Sequence, residues 1–143
     1  LADDGAELVS ETLRRVNEIK PRPQHHEDAT FAPILKREDG LIDWSADAFA
    51  IERRIRGFQP WPNAYTTFNS KRLIIWKAIP ETVSVSSPPG QVLEARRDRL
   101  RVQCGENTSL QIIELQLEGS RLMSARDFLN GARVNTGESL GFG

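Results

Sequence analysis

The segment from Ile42 to Tyr65 constrains this chain more than any other, because it reads as a helix with a start signal and a hard stop. Ser45 is the expected N-cap, since a serine hydroxyl accepts a hydrogen bond from a free N–H of the first turn. Asp47 follows and places negative charge at the positive end of the helix dipole. Ala48, Ile51, Ile55 and Phe58 recur at spacings that put them on one face, with Glu52, Arg53, Arg54 and Arg56 on the others. Gly57 weakens the helix. Pro60 and Pro62 end it, because neither ring donates an N–H and each drives its preceding residue out of the α region. Trp61, fixed between two prolines, has little freedom to lose and is expected to act as a core wedge. The segment therefore predicts a helix pinned to a β-domain by Trp44, Phe58 and Trp61.

Downstream the apolar period changes from helical to alternating. Ala64–Phe68 and Lys71–Ile79 read as strands joined at Asn69-Ser70, the second with an apolar run from Leu73 to Trp76 suited to burial on both faces. A Ser- and Pro-rich loop occupies 80–89. Gln91–Ala95 and Leu100–Cys104 form a hairpin around Arg96-Arg97-Asp98-Arg99, with Leu100, Val102 and Cys104 pointing inward. In Leu110–Leu117 the apolar phase slips by one residue between Ile112 and Ile113, as a β-bulge requires where a strand bends around a barrel. Ser124 to Asp127 is a capping box opening a short helix that Asn130-Gly131 ends. Arg133 to Gly143 reads as an extended, frayed tail. The expected fold is mainly β with flanking helices: an OB-like antiparallel β-barrel of about five strands, preceded by a helix and an extended linker.

That helix is expected over 5–19, with Ala6, Val9, Leu13 and Val16 in one stripe and Lys20-Pro21 closing it. The stripe needs a partner, either the barrel or a preceding domain. Residues 21–40 read as a proline-rich linker lying along a surface through Phe31, Ile34 and Leu35. Its His25-His26 pair, on an extended segment, points to opposite faces and lacks a third ligand, so no metal site is expected.

A single cysteine, Cys104, excludes an internal disulfide, fits a reducing compartment, and is expected to be a small buried hydrophobe. No apolar run approaches the ~20 residues that span a bilayer, and no membrane partner is expected. The net charge of −1 conceals an asymmetry: residues 1–39 carry nine acids and six bases, residues 40–143 thirteen bases and eleven acids. The bases there cluster, and a phosphate backbone responds to a cluster rather than to an average.

Several segments resemble the C-terminal domain of the methionyl-tRNA formyltransferase family. They are Asp43-Trp44-Ser45 with Phe58-x-Pro60-Trp61-Pro62-x-Ala64-Tyr65-Thr66, Ala29-Thr30-Phe31-Ala32-Pro33-x-Leu35, Pro89-Gly90-x-Val92-Leu93, and Leu115-Gln116-x-Glu118-Gly119 with Met123-Ser124-Ala125-x-Asp127-Phe128-Leu129-x-Gly131. The chain departs from the family where Asp98-Arg99 and Asn69-Ser70 replace Asp-Gly and Asx-Gly, so both turn types are open. The resemblance implies a division into 1–20, the terminal helix of a missing N-terminal catalytic domain; 21–40, an interdomain linker; and 41–143, a tRNA-binding β-barrel.

The family transfers a formyl group from 10-formyltetrahydrofolate to the amino group of methionine on initiator tRNA, in the cytoplasm, for translation initiation. Its chemistry is carried by an Asn, a His, an Asp and a folate loop in the N-terminal domain, and none of those motifs occurs here. The resemblance thus implies no catalytic residue, cofactor or metal in this chain, which would be the monomeric enzyme's tRNA-holding part. Phosphate contacts by Arg and Lys supply a salt-sensitive, sequence-blind attraction. The candidates are Lys71 and Arg72 at a hairpin start, Arg97, Arg99 and Arg101 on alternate positions of a strand, Lys36 and Arg37 in the linker, and Arg121 before the last helix. Trp44, Trp61 and Trp76 sit in core-like contexts and are expected to pack rather than stack on bases. Two alternatives stand beside this reading: the equivalent structural spacer of another folate-dependent formyltransferase, and a protein-interaction module using the first helix.

Overall fold

A computed structural model describes residues 1–20, 22–84 and 87–141, which divide into two units, Leu1–Pro33 and Ile34–Gly143. The first contains helix α1 (Ala2–Arg14), with Asp3 and Asp4 in its first turn. It starts and stops earlier than the expected 5–19. After Arg14 the chain turns, and Arg15 pairs with Glu11 and Glu18 at 3.4 and 3.5 Å. Pro21, expected to close the helix, lies outside the described residues. His26–Asp28 form one turn of 3-10 helix instead of extended chain. Phe31 is 94% exposed.

The second unit opens with a 3-10 turn (Arg37–Gly40) and helix α2 (Ala48–Gly57). Its cap is Asp47, whose carboxylate accepts from the Ala50 N–H at 2.9 Å, and not Ser45. Ser45 instead donates both its N–H and its hydroxyl to Asp43, at 2.9 and 2.6 Å. An aspartate two residues before a serine forms this local turn readily, and it delays the helix to Ala48. Ala48, Ile51 and Ile55 are buried, as their spacing predicts.

Six strands follow: β1 (Tyr65–Phe68), β2 (Lys71–Thr82), β3 (Val92–Arg96), β4 (Arg99–Gln103), β5 (Thr108–Leu117) and the two-residue β6 (Met123–Ser124). Helix α3 (Ala125–Gly131) ends the sequence of elements, with Ser124 Oγ accepting from the Asp127 N–H at 3.1 Å. All pairings are antiparallel, in the order β1-β2-β5-β4-β3, with β6 on β5. The phase slip in β5 is real. Ile75 pairs with Leu115 and Ala78 with Ile112, with register shifts on both sides of Lys77, so the buried set continues from Ile112 to Leu115. β2 alternates buried with half-buried residues from Leu73 to Trp76 rather than burying both faces fully.

The sheet is barrel-like, and its edges β1 and β3 do not pair with each other. The C-terminal tail lies along the seam. The Gly137 N–H donates to Val92 O, Val92 N–H to Glu138 O, Leu140 N–H to Gly90 O and Gly141 N–H to Thr67 O, at 2.7 to 3.0 Å. Leu140 is 1% exposed. The tail expected to fray is thus ordered through Gly141, because each open edge offers unpaired backbone groups that it satisfies; Phe142 and Gly143 lie outside the described residues. Gly90, at φ +85°, permits the closest pass: a Cβ there would meet Leu140 O at 2.9 Å.

Trp44 is buried with its indole N–H donating to Thr66 Oγ1 at 3.1 Å. Leu100, Val102 and Cys104 all point into the core, and burial pushes the Cys104 thiol up to about 12. Trp61 does the opposite of what the sequence predicts: it is 55% exposed, while its smaller neighbours Pro62 and Ala64 are buried.

Candidate nucleic-acid interface

Antiparallel order fixes which loops share an end of the sheet. The β1–β2, β3–β4 and β5–β6 turns emerge at one end, and the β2–β3 and β4–β5 connections at the other. At the first end stand Lys71, Arg72, Arg96, Arg97, Arg99, Arg121 and Arg126, against Asp98, Glu118 and Asp127. The other end holds residues 83–84 and 87–91 and the 104–107 connection, the last joined to the 43–47 segment by the Asp47–Gly105 bridge. The charged residues of these segments are Asp43, Asp47 and Glu106; Arg54 of α2 lies beside Asp43, and Arg101 of β4 beside Val83 and Ser84. At the first end bases therefore outnumber acids seven to three, whereas the far segments themselves carry three acids.

The turns themselves explain why cations fit the first end. Asn69 and Ser70 both have positive φ, +49° and +61°, the pattern of a type I′ hairpin. That turn needs no side chain for packing, so Lys71 beside it projects freely and is exposed. In the β3–β4 turn only Arg97 is left-handed, at φ +57°, where a type I′ turn would need both central residues so. The departure from Asp-Gly thus leaves one turn in the usual class and moves the other out of it.

The sequence-derived candidates separate into two groups. Lys71, Arg97 and Arg121 are exposed, and among the described residues none of them pairs with a carboxylate. Lys36 and Arg37 are also exposed, on the 3-10 turn where Asp39 Oδ2 accepts from the Lys36 N–H at 2.6 Å. Arg72, Arg99 and Arg101 are engaged internally. The Arg72 guanidinium lies over the Tyr65 ring at 3.8 Å and donates to Pro62 O at 3.2 Å. Arg99 and Arg101 share Glu94 at 3.8 and 3.7 Å, and Arg101 also approaches Glu81 at 3.6 Å. The expected row of Arg97, Arg99 and Arg101 on one strand face is broken, since the strand begins at Arg99 and Arg97 belongs to the turn.

Two concavities flank this end. Arg37 and Arg72 line one with Ile74, Gln116 and Glu118. Arg97, Asp98, Arg126 and Asn130 line the other, between the β3–β4 turn and α3. Sequence reasoning missed Arg126, which sits inside the capping-box segment and there reads as solvated helix surface. The signal that finds it is topological: β6 pairs with β5 beside β4, bringing α3 against the β3–β4 turn. Among the described residues no cluster of three or more His, Cys, Asp or Glu is arranged for a metal, and no helix is long and apolar enough to cross a membrane.

Comparison with known proteins supplies the lineage. A family model described as "Formyl transferase, C-terminal domain" matches residues 34–133. The chain is similar to the methionyl-tRNA formyltransferase of Caldanaerobacter subterraneus subsp. tengcongensis, 46% identical over 142 residues, 98% of this chain and 45% of that protein. It is also similar to that of Bacillus subtilis, 40% identical over 139 residues, 96% of this chain and 44% of that protein. The chain therefore spans less than half the length of the curated relatives it matches. Among solved structures, HypX from Aquifex aeolicus in complex with tetrahydrofolic acid superposes with a TM-score of 0.57 at 19% identity, over 92% of this chain and 26% of that one, a likeness of fold alone.

Proposed function

The chain belongs to the formyl transferase C-terminal domain family, and from that premise we propose that it is the tRNA-holding portion of a methionyl-tRNA formyltransferase. The intact enzyme would transfer the formyl group of 10-formyltetrahydrofolate to the methionyl amino group of initiator tRNA, in the cytoplasm, ahead of translation initiation. That reaction needs a base for the amine and a donor for the developing oxyanion. In this reading both belong to an N-terminal domain; residues 1–20 are its last helix, and 21–40 the connection to the barrel. The exposed apolar residues of α1, with Leu8, Val9 and Leu13 each more than half accessible, would be covered by that domain.

The observation that supports the tRNA assignment is the charge division between the two ends. Lys71, Arg97, Arg121 and Arg126, without a carboxylate partner among the described residues, collect where the turns leave side chains free, and bases there outnumber Asp98, Glu118 and Asp127. A structured RNA presents a continuous phosphate surface, and such a patch attracts it without reading bases. The pairing of Arg99 and Arg101 with Glu94 favours the second reading, a structural spacer of another folate-dependent formyltransferase. The test is titration of the 143-residue chain with initiator tRNA at rising salt. The tRNA reading expects binding whose logarithm falls linearly with the logarithm of salt, at about 0.7 to 0.9 per phosphate contacted. Affinity independent of salt, or no binding at low salt, overturns it.

A further inference from the structure

We propose that the cleft between the β3–β4 turn and α3 is a phosphate subsite in which Arg97 and Arg126 close on one phosphodiester of the bound tRNA. The inference rests on the tRNA reading above, and it adds a shared phosphate and a geometry that the reading does not contain. Arg97, Asp98, Arg126 and Asn130 line the cleft, so two guanidinium groups from different elements face one space. Among the described residues neither group forms a hydrogen bond or ion pair, whereas Arg72, Arg99 and Arg101, close by, are all engaged. A guanidinium fork matches the paired oxygens of a phosphate, and two forks on one group satisfy both non-bridging oxygens. The Asn130 amide adds a neutral donor at the rim.

Arg97 also occupies a costly backbone conformation. At φ +57° the residue of lowest cost is glycine, and a long cation there is retained against local preference. Asp98 contributes the one carboxylate that lines the cleft, so its lining keeps a net charge of +1. The arrangement makes a prediction with opposite signs for stability and binding.

The test uses the 143-residue chain and an initiator tRNA transcript. Arg97→Gly relieves the backbone while removing the cation, so its melting temperature is expected to hold or rise while tRNA affinity falls about tenfold. Arg126→Ala, at an exposed residue with no hydrogen bond or ion pair among the described residues, is expected to lose about as much. Because both grip one phosphate, the double variant should lose less than the product of the singles, and each single should lower the salt slope by about 1 with no further drop in the double. Asp98→Asn should tighten binding severalfold. Full multiplication of the losses means two separate phosphates and overturns the shared subsite. Unchanged affinity in both singles, with Lys71→Ala still weakening tRNA, overturns the subsite and leaves the tRNA reading standing. No binding by the unaltered chain at low salt overturns both.

Discussion

The two ends of the barrel are built on opposite terms. At the acidic end the backbone is packed: Gly105 donates its N–H toward the Trp44 and Ala46 carbonyls, at 3.1 and 2.9 Å, and Thr108 Oγ1 accepts from the Ala48 N–H at 2.8 Å. The start of α2 is thereby fastened to the β4–β5 connection. At the basic end the two-residue β1–β2 and β3–β4 turns leave exposed positions that carry lysine and arginine, while Phe68 beside the first packs edge-on against Phe128 at 5.4 Å. One end holds the fold and the other presents charge. The difference teaches that a unit with thirteen bases and eleven acids from residue 40 onward can offer a strong local field without being a basic protein.

Breaking the packed end should have the largest effect. A Cβ at Gly105 would collide with the Ser45 carbonyl, a backbone atom with nowhere to go. Gly105→Ala is expected to cost more than about 3 kcal/mol in a urea melt. Next comes the seam. Leu140→Ala empties a fully buried site and is expected to cost about 2 to 4 kcal/mol, with amide exchange accelerated first in β1 and β3, the two strands the tail covers.

Two smaller changes sharpen the contrast. Ser70→Gly places glycine at a left-handed turn position of the basic end and should stabilise by about 0.5 to 1 kcal/mol. It should leave tRNA affinity unaltered, because Lys71 keeps its cation. The smallest effect is in acid. Hydrogen bonds from the Ser45 hydroxyl and N–H hold the Asp43 carboxyl below its ordinary 3.8, and those from Asn135 hold Glu138 below 4.5. A depressed folded value means stability that is present above the unfolded pKa and lost as pH falls through the folded one. A stability–pH profile should therefore be flat above about pH 4.5 and decline below it. The Asp43→Asn/Glu138→Gln pair should flatten that decline.

Local chemistry made much of the fold legible. The α2 stripe, the inward phase of Leu100, Val102 and Cys104, the Ser124 cap and the slip in β5 all follow from spacing alone, because each concerns neighbours in sequence. Ser45 misled because two capping residues compete within three positions, and the decision rests on whether Asp43 captures the serine first. Trp61 misled because apolar size alone does not set burial: its smaller neighbours Pro62 and Ala64 are the ones buried. The tail was legible as extended chain but not as ordered chain: what orders Leu140 is a seam between strands distant in sequence. The site divides in the same way. Lys71, Arg97 and Arg121 stand out as bases beside turn signals. The engagement of Arg72, Arg99 and Arg101 depends on Tyr65 across the hairpin and on Glu94 one strand away. Arg126 enters only through the pairing of β6 with β5.

The central claim, that the basic end is the one facing RNA, is tested most directly by amide hydrogen exchange of the chain with and without initiator tRNA at low salt. The account predicts slowed exchange confined to residues 69–72, 96–99 and 119–126, with no change at 43–47 or 104–107. Protection at the acidic end, or spread evenly over both, would contradict it.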